Sequence, residues 1–135
     1  MIRGFNHVGI AVKDLGEAIV FLEKAYGVRL IWRASYGEQG FETALVGNGP
    51  LRFELLAGTR PDSFIAKFIA DRGEGMHHVS LEVDEFDLVV EGLRAKGLDV
   101  IGETETEEFK AAFIHPKGNL GALTEIIEPK GGWGT

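Results

Sequence analysis

Cysteine is absent from the 135-residue chain. That excludes disulfides, thiolate-held metals and cysteine nucleophiles, and it suits a reducing cytoplasm. Basic side chains are in deficit: 14 Lys and Arg stand against 21 Asp and Glu, a formal net charge of −7. With no basic stripe to displace counterions from phosphates, a nucleic-acid partner is not expected. No apolar run approaches the ~18 residues of a membrane span, so no membrane partner is expected. The N-terminus lacks the apolar stretch of a signal peptide. GxGxxG, P-loop and Gly-x-Ser-x-Gly patterns are all missing. Proline is scarce, with four residues beside nineteen glycines, as in a chain of many short elements.

At 44% apolar and 26% charged the composition is that of a globular protein. The length fits one domain, 1–135. Val8, Ile10 and Val12 alternate with His7, Gly9 and Ala11, which predicts a strand. Asp14 followed by Glu17 makes a capping-box start for a helix with Leu15, Ala18, Ile19 and Leu22 on one face, stopping at Gly27. Three strands follow over 28–34, 41–46 and 51–57. Pro61-Asp62-Ser63 opens a short helix that ends at Gly73. The pattern then begins again with a strand at His78–Val83, a helix from Phe86 to Gly97, and strands over 98–102, 110–115 and 122–127.

The repeat has a fixed offset. His7 and His78 are 71 positions apart, and so are Val8 and Val79, Leu15 and Phe86, Leu22 and Leu93, and Glu54 and Glu125. The fold class is therefore α+β, with two tandem βαβββ modules. Module 1 covers 4–57, a linker 58–75, and module 2 76–128. A repeat unit rarely closes a core alone, so the two share one.

The repeat places a His at the start of each module and a Glu on the last strand of each. If a pseudo-twofold axis relates the modules, His7, Glu54, His78 and Glu125 converge near it. Two imidazoles and two carboxylates suit a divalent first-row metal. Each residue alone has a plainer reading. A lone His is usually structural, and a Glu on a strand is often an edge charge that blocks aggregation. A carboxylate in an apolar strand such as Phe53–Leu56 is nevertheless costly unless paired or metal-bound. His77 points to the other face of its strand from His78, and the offset selects His78. His115-Pro116-Lys117 reads as a turn, and the run Glu103, Glu105, Glu107 and Glu108 as a solvated face.

His7-Val8-Gly9-Ile10-Ala11-Val12 before Asp14-Leu15, and Gly73-Glu74-Gly75-Met76-His77-His78-Val79 before Glu82-Val83-Asp84, resemble the vicinal oxygen chelate superfamily. Within it, the segments Pro61–Phe68, Glu38-Gln39-Gly40, Phe53-Glu54-Leu55-Leu56 and Phe113-Ile114-His115-Pro116-Lys117 are most similar to methylmalonyl-CoA epimerases. The resemblance covers nearly the whole chain. It implies a cupped, barrel-like mixed sheet around one metal site, with His7, Glu54, His78 and Glu125 as metal ligands. It also implies a homodimer, an acyl-CoA substrate and a divalent ion of the Co2+ kind, with Zn2+, Ni2+, Mn2+ and Fe2+ as alternatives. The reaction implied is epimerisation of methylmalonyl-CoA through a metal-stabilised enolate. Glu125 would be one catalytic acid/base and Glu42 its counterpart.

Two departures stand out. The loop before Phe113 is acidic rather than Gly-rich, and the position that supplies a second acidic group in some members falls on Thr43, with Glu42 beside it. Three alternatives keep the fold. A glyoxalase I-type lactoylglutathione lyase uses the same four ligands. A ring-cleaving dioxygenase uses two His and one carboxylate with iron. A bleomycin-resistance-like binding protein has no metal site.

Overall fold

The structure is a computed structural model and describes all residues, Met1–Thr135. Its elements are β1 (Ile2–Ala11), α1 (Leu15–Tyr26), β2 (Arg29–Tyr36), β3 (Phe41–Asn48), β4 (Leu51–Gly58), α2 (Phe64–Arg72), β5 (Gly75–Val83), α3 (Phe86–Ala95), β6 (Val100–Glu105), β7 (Phe109–Ile114) and β8 (Thr124–Pro129). The fold class is α+β, as the repeated pattern predicts. Packing divides the chain into two compact units: Val8–His77, and Met1–His7 together with His78–Thr135.

In the unit Val8–His77 the strands run in the order β2-β3-β4-β1. β1 is parallel to β4, and the other pairs are antiparallel. Helix α1 begins where Asp14 Oδ1 accepts the Glu17 N–H at 2.9 Å, and it ends at Gly27 in the left-handed region (φ 67°). Both signals are those read from the sequence. Leu15, Ile19 and Leu22 on α1 pack with Val12, Val28, Ala44, Val46, Leu55 and Ala57. Burying each large aliphatic side chain there stabilises the unit by roughly 1.5–3 kcal/mol. A second cluster joins Ala11 and Leu56 to Ile65 of α2. Ser63 caps α2 by accepting the Ala66 N–H at 3.1 Å.

In the other unit β5, β8, β7 and β6 are consecutive neighbours, with the Ile2–His7 part of β1 beside β5. β5 is parallel to β8, and β8-β7-β6 are antiparallel. Val83, Phe86, Val90, Val100, Ala112, Ile114 and Ile126 form its core. Helix α3 lacks a local cap. Glu85 sits at φ 52° without a side-chain cap, and Glu128 Oε1 on β8 accepts the Phe86 N–H at 3.0 Å instead. The C-terminal segment is tied down through Trp133, whose ring lies 5.0 Å from that of Phe109.

The 71-residue offset reappears in hydrogen-bond register. β1 pairs Gly9 with Glu54 and Ile10 with Leu55. β5 pairs Ser80 with Glu125 and Leu81 with Ile126. The same residue positions thus occupy the same ladder positions in each unit.

Candidate metal centre

Strand periodicity sorts β5 into two faces. Leu81 and Val83 join the core under α3, so His78, Ser80 and Glu82 project to the opposite face. On β8, Ile126 belongs to that core and Glu125 points away from it. Register then sets Glu125 against Ser80, and the Ser80 hydroxyl donates to Glu125 Oε1 at 2.7 Å.

His7 completes a buried group. Its Nε2 lies 3.2 Å from His78 Nε2 and 3.3 Å from Glu125 Oε1. The two rings meet edge to face at 5.3 Å, and Phe113 packs edge-on against His78 at 5.6 Å. His7, His78 and Glu125 are 3%, 4% and 7% exposed, so bulk water is largely kept from them.

The hydrogen-bond directions decide what this group needs. Asn6 Nδ2 donates to Glu82 Oε1 at 2.7 Å. Asn6 Oδ1 is therefore the atom 2.7 Å from His7 Nδ1, and an amide oxygen only accepts. His7 Nδ1 carries the proton. In the neutral ring, Nε2 then presents a lone pair to a carboxylate oxygen that also only accepts. Two acceptors 3.3 Å apart in a buried site, with His78 Nε2 3.2 Å from the first, favour a positive charge beside them. A divalent ion fits. Two donors each about 2.0–2.1 Å from one ion, at angles near 90–110°, stand roughly 2.9–3.4 Å apart, and the 3.2 and 3.3 Å separations fall in that range.

Glu54 lies half-buried on β4, in register with Gly9 of β1, two residues along from His7. Its Oε2 accepts from the buried Thr43 hydroxyl at 2.9 Å, much as Glu125 is held by Ser80. Glu42 is not brought to that face. It pairs with Ala57, while Thr43 pairs with Leu56 and Leu45 with Glu54. Opposed residues share a face and neighbours alternate. Glu42 thus stands with Ala44, Leu55 and Ala57 on the side that packs toward α1, away from Glu54. The residue expected to be the second acid/base, Glu42, thus lies on the opposite face of the sheet from Glu54.

The other histidines fall outside the group. His77 lies against Phe64 and Phe68 of α2, at 5.9 and 5.0 Å between rings. His115 is exposed in a turn, where its Nδ1 accepts the Lys117 N–H at 3.0 Å. Asn6, Ser80 and Thr43 were not singled out from sequence as partners of the ligands. Each is a small polar residue within a strand, a pattern that carries no signal until register is known.

Residues 6–113 match the Glyoxalase/Bleomycin resistance protein/Dioxygenase superfamily. The chain belongs to that superfamily. This superfamily member is 33% identical over 129 residues to the mitochondrial methylmalonyl-CoA epimerase of Homo sapiens, covering 90% of this chain and 71% of the human one. The methylmalonyl-CoA epimerase of Mycobacterium tuberculosis superimposes with a TM-score of 0.87 at 34% identity, covering 96% of this chain and 89% of that one. A variant of the Streptomyces coelicolor methylmalonyl-CoA epimerase, in complex with 2-nitronate-propionyl-CoA, gives a TM-score of 0.86 at 28% identity, covering 95% and 98%.

Proposed function

We propose that this superfamily member is a metal-dependent epimerase of a carboxylated acyl-CoA, methylmalonyl-CoA being the substrate class its relatives indicate. The observation that carries the reading is the buried meeting of His7 Nε2, His78 Nε2 and Glu125 Oε1 at 3.2 and 3.3 Å. Its two imidazoles and one carboxylate support this reading over that of a binding protein without a metal. Glu54 is proposed as the fourth ligand, supported by its equivalence to Glu125 at the 71-residue offset and by its matching ladder position. With it, the proposed donor set of two imidazoles and two carboxylates suits a divalent metal of the Co2+, Zn2+, Ni2+, Mn2+ or Fe2+ kind.

A bound divalent cation supplies Lewis-acid stabilisation of the negative charge that develops on the substrate's oxygens, worth several kcal/mol. The chain's own residues do the rest. His7 and His78 would hold the ion through their Nε2 atoms. Ser80 fixes Glu125 Oε1. Glu125, shielded from water, takes the proton from the carbon between the thioester and the carboxylate. Epimerisation is completed when a proton returns to the opposite face of the same carbon, from a donor other than Glu125. Glu42 is left out of this mechanism because of its position. The physiological setting proposed is a cytoplasmic homodimer, supported by the absence of cysteine and the resemblance. No helix is long and apolar enough to cross a membrane.

The test is solvent exchange. The Co2+-loaded protein incubated in deuterium oxide with methylmalonyl-CoA is expected to place deuterium on the α-carbon. Formation of lactoylglutathione from methylglyoxal and glutathione, with no exchange into the acyl-CoA, would replace the epimerase reading with a glyoxalase I-type one.

A further inference from the structure

Beyond the ligands, the unit Met1–His7 and His78–Thr135 holds a polar chain that runs from Glu82 through Asn6 to His7. Asn6 is 2% exposed and among the most fully buried side chains of the protein. It sits on a strand whose residues are otherwise mostly apolar, and a buried amide there is costly unless both its ends are satisfied. Glu82, four residues beyond His78 on β5, takes the Asn6 Nδ2–H at 2.7 Å, and Asn6 Oδ1 meets His7 Nδ1 at 2.7 Å.

We propose that Glu82 and Asn6 form a positioning relay that fixes His7 as the Nδ1–H tautomer, aims its Nε2 lone pair at the cation site, and so sets that site's metal affinity. The direction of the relay follows from chemistry alone. A carboxylate offers no hydrogen, so Glu82 compels the Asn6 amide to turn its NH2 outward and its oxygen to His7. An oxygen at Nδ1 compels that nitrogen to hold the proton. Without the relay, a neutral imidazole is free to place its proton on Nε2 and donate it to Glu125 Oε1, 3.3 Å away. That bond would close the site by tying a ligand nitrogen to a ligand oxygen. The carboxylate at the far end also polarises the amide and makes Nε2 a stronger donor toward a cation. Asn6 and Glu82 are positioning residues that act through His7. Their assignment rests on the cation site proposed above, but the tautomer they impose does not.

The experiment reads both levels separately. In metal-free protein carrying 15N-labelled histidine, long-range 1H–15N correlation is expected to show His7 protonated at Nδ1. Asn6→Leu, close in shape and without the amide, is expected to move His7 toward the Nε2–H form and to weaken binding of Co2+ alone by about 10–100-fold. The double variant Asn6→Asp with Glu82→Gln reverses the partners: the new amide donates to the new carboxylate, which still accepts from Nδ1. It is expected to restore the Nδ1–H form and Co2+ binding at least as tight as wild type. It also decides the matter if Asn6→Leu does not fold. An unchanged tautomer and affinity in Asn6→Leu, or a double variant that lacks the Nδ1–H form, would overturn the relay. A wild-type protein that shows the Nδ1–H form yet takes up no Co2+ would overturn the cation site while upholding the tautomer assignment.

Discussion

His7 Nε2 and Glu125 Oε1 stand 3.3 Å apart, buried, with the hydrogen-bond partners of each arranged so that neither brings a proton to the other. In metal-free protein the neighbours of these two atoms are His78 Nε2, 3.2 Å from His7 Nε2, and the Ser80 hydroxyl on Glu125 Oε1. Glu125→Gln replaces one acceptor by an amide that can donate to His7 Nε2. The metal-free variant is expected to be more stable than wild type by about 1 kcal/mol, while Co2+ binding collapses. Thermal melts with and without Co2+ check both signs.

Ser80 is fully buried and its hydroxyl serves Glu125. Ser80→Ala is expected to cost about 1.5–3 kcal/mol, the range for a hydrogen bond to a charged group. In urea the midpoint should fall without a change of slope. A neutral effect would mean that Glu125 turns to another donor.

The equivalent ladder positions Leu55 and Ile126, 1% and 0% exposed, lie in the cores of different units. Leu55→Ala and Ile126→Ala are each expected to destabilise by about 2–5 kcal/mol, measured by denaturant unfolding. These residues carry no ligand, so Co2+ stoichiometry in the folded variants should stay as in wild type.

Arg3 donates through Nε at 2.7 Å to Asp84 Oδ2, and this hydrogen bond holds the Asp84 carboxyl below its ordinary value. A carboxylate favoured in the folded state adds stability above its unfolded pKa and loses it as pH falls through the folded one. Stability is therefore expected to decline as pH drops below the ordinary Asp range. Arg3→Ala should lower stability slightly near neutrality and leave it unchanged at the acid end, so that this part of the acid limb flattens. Denaturation midpoints measured across pH 2–6 distinguish the two.

Much of this was legible in the sequence because the deciding signals are local. Asp14 with Glu17 and Gly27 mark α1 through a cap and a left-handed turn, and the 71-residue offset marks the repeat without any knowledge of space. That same offset singled out His7, His78 and Glu125, which the structure brings together. What escaped was non-local. The cap of α3 comes from Glu128, forty-two residues away. The face on which Glu42 stands depends on its pairing with Ala57, which no spacing within β3 discloses. Asn6 acquires its meaning only once Glu82 lies beside it.

A Co2+ titration of metal-free protein, followed in the visible spectrum and repeated with His7→Ala and His78→Ala, tests the centre most directly. One ion per chain, bound by wild type and lost from both variants by more than the about 10–100-fold that outer-shell changes cost, is the expected result. Wild-type protein that takes up no ion, or takes it up equally well without His7 and His78, would contradict the metal centre.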